Sequence, residues 1–199
     1  MLIGFTGAQS TGKTTLLNKC KEYYLECNGW NYVDEVTRKV KRLGYKINTD
    51  GNDITQLFIL NEHLKNHTTT ESYILDRCIL DGYVYSSCLS RRGVVSEWVT
   101  TYACEMLNLL VCNLDIIFYT QPEDVKLVSD GTRSVDRKFR QDIINRYEDL
   151  FAQDYWWMDK VVRLSGTVDE RLETIYKTVD EKAKQIRQQQ NNQAFRANV

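Results

Sequence analysis

Only one proline, Pro122, and two histidines occur among the 199 residues. Nothing in the chain reads as a Pro-rich linker between domains, and two histidines alone make a poor metal centre. The six cysteines, at 20, 27, 78, 88, 104 and 112, form no C-x-x-C pair, which removes that metal and redox signature. Long apolar runs are missing too. No stretch approaches the roughly 18 residues needed to span a bilayer, and MLIGFTG does not read as a signal peptide. We therefore expect reduced cysteines packed as small hydrophobes and a cytoplasmic protein with no membrane partner. Neither sign of charge dominates: 26 Lys and Arg against 27 Asp and Glu leave a net charge of −1. No overall field attracts nucleic acid or an anionic membrane, so any anion must be bound by local geometry.

What is present suits one compact domain, with 42% hydrophobic residues and no internal repeat. Five short apolar runs read as strands: LIGFT (2–6), NYVD (31–34), SYILD (72–76), DIIFYT (115–120) and KVVRL (160–164). Helical periodicity separates them. Lys13–Cys27 puts Leu16, Leu17, Cys20, Tyr24 and Cys27 on one face and stops at Asn28-Gly29. Ile54–Asn66, Glu97–Cys112 and Val135–Phe151 read as further helices, the second behind a Ser96 cap. Strands alternating with helices imply an α/β fold, a parallel sheet covered on both faces by right-handed crossovers. The domain is expected over 1–180, with a lid at about 123–140. The Gln/Asn-rich tail 181–199 is expected to continue a helix and then fray.

Between the first strand and the first helix lies GAQSTGKT, which matches G-x-x-x-x-G-K-[ST] at Gly7, Gly12, Lys13 and Thr14. Glycines let consecutive backbone N–H groups curl around phosphate oxygens, and the helix start adds its positive dipole end. Lys13 can reach the β- and γ-phosphates and the Thr14 hydroxyl can bind Mg²⁺. Residues Gly7, Ala8, Gln9, Ser10, Thr11, Gly12, Lys13, Thr14 and Thr15 are thus predicted to hold a nucleoside triphosphate.

A GTPase switch would need D-x-x-G and N-K-x-D. No Asp lies three residues before any glycine, and the only Asn-Lys, Asn18-Lys19, is followed by Cys-Lys. A motor or transporter ATPase would need a larger domain or a partner-reading insert. A small-molecule kinase needs an acidic metal anchor, an acceptor site and a cationic lid, and each has a candidate. Asp76 ends an apolar strand and can hold Mg²⁺ or its water, with Arg77 turned toward phosphate or acceptor. Asp34 or Glu35 can take the proton of an attacking hydroxyl, and Arg38, three residues after Glu35, can bind a substrate phosphate. In SDGTRSVDRKFR (129–140) the arginines Arg133, Arg137 and Arg140 recur beside an apolar stripe. Arg133 and Arg137 are the stronger candidates for stabilising the transferring phosphoryl group. Tyr83 and Tyr85 are candidates to wall the acceptor pocket, and SGTVDER (165–171) to lie under the adenine. His63 and His67 have the i,i+4 spacing of a metal pair, with no third ligand evident.

The order GAQSTGKTTL, Glu35-x-x-Arg38, Asp76-Arg77 and Arg133/Arg137/Arg140 resembles the P-loop kinases related to nicotinamide riboside kinase of the NadR type, and small phage and bacterial ATPase-domain proteins. The Asp-Arg step is also similar to that of thymidylate and deoxynucleoside kinases, although Cys78 stands where thymidylate kinases often carry an aromatic. The resemblance spans roughly residues 1–175. It implies a five-stranded parallel core in order 2-3-1-4-5, ATP with Mg²⁺ as donor and a nucleoside or nucleoside monophosphate as acceptor. Two other readings stay open: a regulatory ATPase switch, and a kinase acting on a nucleic-acid acceptor, against which the neutral charge speaks. A homodimer stays open as well.

Overall fold

A computed structural model describes residues 1–28, 30–69, 71–122 and 136–197. Five parallel strands form one sheet: β1 (Leu2–Thr6), β2 (Asn31–Val33), β3 (Tyr73–Asp76), β4 (Ile116–Thr120) and β5 (Val161–Leu164). Their order is β2-β3-β1-β4-β5, as the family resemblance implied. The three central strands are the most apolar, and every residue of β1 and β4 is buried. Edge strand β2 is only partly covered. Phe5 registers with Asp76 on one side and Phe118 on the other, so the carboxyl ends of β1, β3 and β4 open together at one rim, where an open α/β sheet binds its ligands.

Alternation along the strands supplies two cores. Ile3, Phe5, Ile74 and Phe118 pack on one face against Leu16, Leu17 and Cys20 of α1 (Lys13–Asn28) and Leu172 and Ile175 of α7 (Val168–Ala197). Leu2, Leu75, Ile117 and Tyr119 pack on the other face under α4 (Ile79–Arg91), α5 (Glu97–Leu110) and α6 (Arg137–Phe151). Two further helices, α2 (Val36–Arg42) and α3 (Asp53–His67), join through Val36, Val40 and Ile59 to form a third small cluster beside the rim. Leu17 is fully buried, so cutting it to alanine would cost about 2–5 kcal/mol. Among the described residues no helix is long and apolar enough to cross a membrane.

One helix has no counterpart among the elements read from the sequence. The segment 79–91 carries no clear polar face, because Ile79, Leu80, Asp81, Gly82, Val84, Ser86, Ser87, Cys88 and Leu89 are all buried; α4 runs between the sheet and neighbouring helices, so amphipathic periodicity is lost. At the other end, α7 runs from Val168 to Ala197 without a break. Gly29, Arg133 and Val135 lie outside the described residues, as do the side chains of Tyr24 and Cys27.

Candidate active site

The phosphate cradle is held from below by the sheet. Gly7 follows β1 at φ 136, and a Cβ there would meet Thr120 Oγ1 at 2.7 Å and the Thr120 carbonyl at 2.9 Å. Only glycine combines that backbone with that approach. Thr120, at the end of β4, places its hydroxyl 2.6 Å from the Thr11 hydroxyl. Lys13 folds back over the loop: its Nζ donates to the carbonyls of Gly7 at 2.8 Å and Ala8 at 2.5 Å, and to Thr11 Oγ1 at 3.1 Å. Burial, then the Arg77 guanidinium, pull the ammonium down to about 7 against the opposing carboxylates of Asp81, Asp76 and Glu35. Ala8, Gln9, Ser10 and Thr11 are buried, whereas Thr15 is exposed on α1.

Two arginines brace this loop from distant parts of the chain. Arg171, on α7 and 3% exposed, donates Nε to the Gly166 carbonyl at 2.9 Å and Nη1 to the Thr11 carbonyl at 3.1 Å. It thereby brings the turn 165–171 beside the cradle, where a groove of about 410 Å³ runs along Gly12, Leu16, Gly166, Thr167 and Glu170. Arg140, on α6, donates to the carbonyls of Gln9 at 3.1 Å and Pro122 at 3.2 Å. Arg137 begins α6 and is exposed.

Across the rim, β3 ends in Asp76, 3% exposed. Its carboxylate accepts from the Tyr32 hydroxyl at 3.3 Å, and burial together with nearby Glu35 raises its pKa. Arg77 follows with φ 74, a left-handed conformation costing a side-chain-bearing residue about 1–2 kcal/mol. The guanidinium spans the site, with Nε donating to Glu35 Oε1 at 2.7 Å and Nη1 to Asp81 Oδ1 at 2.6 Å. Nη1 also reaches the Gly7 carbonyl and the Tyr85 hydroxyl, each at 3.4 Å. Burial would raise the Glu35 carboxyl, but Arg77 and the Thr37 hydroxyl outweigh it and bring it down to about 2.

The structure brings together Lys13, Glu35, Arg38, Asp76 and Arg77, with Thr14 at the start of α1. Arg38 is ion-paired to Glu35 at 3.4 Å. Asp34 is not part of the cluster: its side chain is 65% exposed and pairs with Lys21 at 3.7 Å. Adjacent residues at a strand end point opposite ways, which separates the two acids. Tyr83 is also elsewhere. One α4 position carries Tyr85 toward the loop, where its hydroxyl donates to Gln9 Oε1 at 3.0 Å. Tyr83, two residues earlier and so on another face of the helix, pairs with Arg146.

Glu35, Gln56, His63, Arg77, Asp81 and Tyr85 line a cleft of about 30 Å³ between α2, α3 and α4. Gly82 lets α3 approach α4 there, since a Cβ on it would meet Leu60 at 2.9 Å and His63 at 3.2 Å. The two histidines serve packing and capping: His67 Nδ1 bonds the His63 carbonyl at 2.8 Å. His67 Nε2 accepts the Ile79 N–H at 3.2 Å, which fixes the neutral tautomer. Burial, partly offset by the His63 carbonyl and Asp81, lowers His67 to about 4. No cluster of three metal-binding side chains occurs among the described residues.

Sequence reasoning missed Asp81, Thr120 and the His67 cap, and met Arg171 only as the last residue of SGTVDER. Two carried a signal. Arg77 and Asp81 are an i,i+4 pair. T-V-D-E at 167–170 is a capping box, with Thr167 N–H donating to Glu170 at 2.7 Å; it marks the helix start that delivers Arg171.

The profile of the family described as AAA domain matches residues 2–171. The chain belongs to the AAA domain family. No curated protein matches it. Among solved structures, this AAA domain resembles deoxyadenosine kinase from M. mycoides with the products dCMP and a flexible dCDP bound, at TM-score 0.65 and 17% identity over 91% of this chain and 99% of that one. It also resembles NadR in complex with NR, at TM-score 0.60 and 15% identity over 91% and 51%. NadR in complex with NAD and AMP-PNP gives TM-score 0.66 and 12% identity over 92% and 49%. The chain thus spans about half of the NadR chains and nearly all of the deoxyadenosine kinase. Its fold is that of the P-loop kinases, in line with the resemblance carried by the motif order.

Proposed function

We propose that this AAA-domain chain transfers the γ-phosphoryl group of ATP to a hydroxyl of a nucleoside. One observation carries the reading: the largely buried Glu35 carboxylate, 12% exposed, is gripped at 2.7 Å by Arg77, whose Nη1 also touches the phosphate-loop carbonyl of Gly7. A group able to order a hydroxyl is thereby tied to a cradle able to hold a triphosphate. The groove beside Gly166 and Thr167 would take the adenine, and Gln9 Nε2, buried without a hydrogen-bond partner, is available to a phosphate oxygen.

In the reaction the acceptor hydroxyl loses its proton to Glu35 as its oxygen bonds the γ-phosphorus, and the bond to the β–γ bridging oxygen breaks with its electron pair leaving on ADP. A carboxyl held near 2 is a weak base, but a loose phosphoryl transition state asks more for alignment than for basicity. Lys13, released from the loop carbonyls, would neutralise the triphosphate. Buried Asp76 at the end of β3 and Thr14 at the start of α1 are the side chains that would hold Mg²⁺, which binds through one or two protein oxygens plus phosphates and water; the ion would neutralise phosphate charge. Arg137 and Arg133 remain the lid candidates for the transferring group, joined by Arg140 because it already reaches the cradle. Among acceptors, a nucleoside is favoured over its monophosphate because Arg77 and Arg38 both spend their charge on carboxylates. The cleft is narrow, so acceptor entry moves α2 and α3 away from α4. Buried Cys20, Cys78 and Cys88, used as core thiols, support a reducing compartment such as the cytoplasm.

The test is incubation with ATP and Mg²⁺ and a panel of nucleosides, monophosphates, nicotinamide riboside and short DNA, with products followed by mass. A singly phosphorylated nucleoside is expected. Lys13→Ala should lower that product about 10³-fold while circular dichroism stays native. Product formation by the variant at the wild-type rate would overturn the mechanism.

A further inference from the structure

We infer that Asp81 is a specificity-determining residue: by committing Arg77 to the protein it closes the acceptor cleft to phosphorylated acceptors. The inference rests on the proposed reading of that cleft. Asp81 sits in the first turn of α4 and is 3% exposed. Its partners are all donors: Arg77 Nη1 at 2.6 Å, Thr6 Oγ1 at 2.7 Å and the Cys78 N–H at 3.1 Å. The Arg77 guanidinium and the Cys78 N–H can only donate, so Asp81 serves both as an acceptor.

The carboxylate is itself fixed from behind. With the Thr6 proton spent on Asp81, the Tyr147 hydroxyl must donate to Thr6 Oγ1 at 2.8 Å, and Tyr147 is fully buried on α6. A chain of hydroxyls from α6 through β1 thus holds Asp81 against Arg77, while Glu35 holds the opposite edge of the same guanidinium. The cleft therefore presents one cation between two anions. A phosphate dianion arriving here would have to displace a buried carboxylate from Arg77 and leave that carboxylate unpaired. A neutral hydroxyl needs only an acceptor, which Glu35 provides. Asp81 is not required to touch the acceptor; it acts through Arg77.

The experiment is calorimetric titration of the full chain, with MgADP present, using thymidine, deoxyadenosine, deoxycytidine and the 5′-monophosphate of each. Wild-type protein should bind its preferred nucleoside about tenfold or more tighter than the matching monophosphate. Asp81→Asn keeps an acceptor for Thr6 and Cys78 but releases charge on Arg77, so the ratio should move about tenfold toward the monophosphate, with MgADP still bound. Asp81→Ser, which can still cap the Cys78 N–H, should move it the same way and serves if the asparagine variant does not fold. A wild-type preference for the monophosphate, or a ratio unmoved in either folded variant, overturns the role of Asp81. If MgADP binds while no acceptor of either kind binds any variant, the acceptor reading itself fails and this inference falls with it.

Discussion

The candidate phosphate side of the site is one continuous run, Gly7 to Thr15, whereas the proposed acceptor side takes Glu35 from the turn before α2, His63 from α3, and Arg77, Asp81 and Tyr85 from the end of β3 and α4. The first side is a contiguous loop whose glycines and lysine are local in sequence, although Thr120, Arg140 and Arg171 brace it from elsewhere. The second is made of side chains that tertiary packing brings together, and its charges are balanced within a few ångströms. A contiguous cradle announces its chemistry in the sequence; an assembled wall hides its chemistry until the fold is known.

The assembled wall is where a single atom should matter most. Glu35→Gln keeps shape and hydrogen bonding but removes the charge that Arg77 grips and the proton acceptor. Turnover should fall about 10²–10³-fold with little change in ATP affinity. Its neighbour Asp34, paired only with Lys21 at the surface, should tolerate Asp34→Asn within about twofold. Steady-state kinetics of the two variants side by side is the check. Equal losses would mean that both acids face the acceptor, against the burial seen here.

That pair shows how legible the site was. The acidic doublet after the second strand could be found from sequence, and so could Asp76-Arg77, because a strand that ends in a charge is a local signal. Which acid turns inward could not, since it depends on where Arg77 lands, and Arg77 lands there only because Asp81 and a left-handed backbone hold it. The strands were legible to within a residue or two for the same reason as the cradle: each is a short apolar run between turn residues. Helix α4 was not, because an element buried on nearly every side has no periodicity to read. His67 looked like half of a metal pair, and its capping of Ile79 depends on a contact between α3 and α4 that no local pattern encodes.

His67 also separates the two sides by pH. Its folded pKa, about 4, lies below the ordinary 6.5, so below pH 6.5 the unfolded chain binds a proton that the folded chain does not. This contribution to stability is complete above pH 6.5 and is lost as pH falls toward 4, by about 3 kcal/mol. Buried His63, lowered further by burial, His67 and Arg77, adds to the same slope. Glu35, held near 2 instead of its ordinary 4.5, gives up its share only from pH 4.5 down to 2. Urea melts across pH 4 to 7 should therefore slope steeply. His67→Gln, which keeps an acceptor for the Ile79 N–H but cannot charge, should flatten them. Hydrogen exchange should show acid loosening first at the start of α4, before the phosphate loop.

The smallest effects distinguish Tyr85 from Tyr83, two hydroxyls on one helix. Tyr85→Phe removes the donor to Gln9 and one acceptor for Arg77, so it acts between the two sides of the site. Acceptor KM should rise about three- to tenfold, the value of one hydrogen bond, with a melting temperature near wild type. Tyr83→Phe removes the acceptor for Arg146, whose Nε is already buried without a partner. Its cost should be stability alone, about 1 kcal/mol or 2–4 °C for a domain of this size, with KM unchanged. The two readouts cross: one variant binds less well and melts normally, the other melts early and binds normally. If Tyr83→Phe raised KM as Tyr85→Phe does, the acceptor wall would have to extend around α4 to the face that packs on α6, and the separation between the two sides drawn here would not hold.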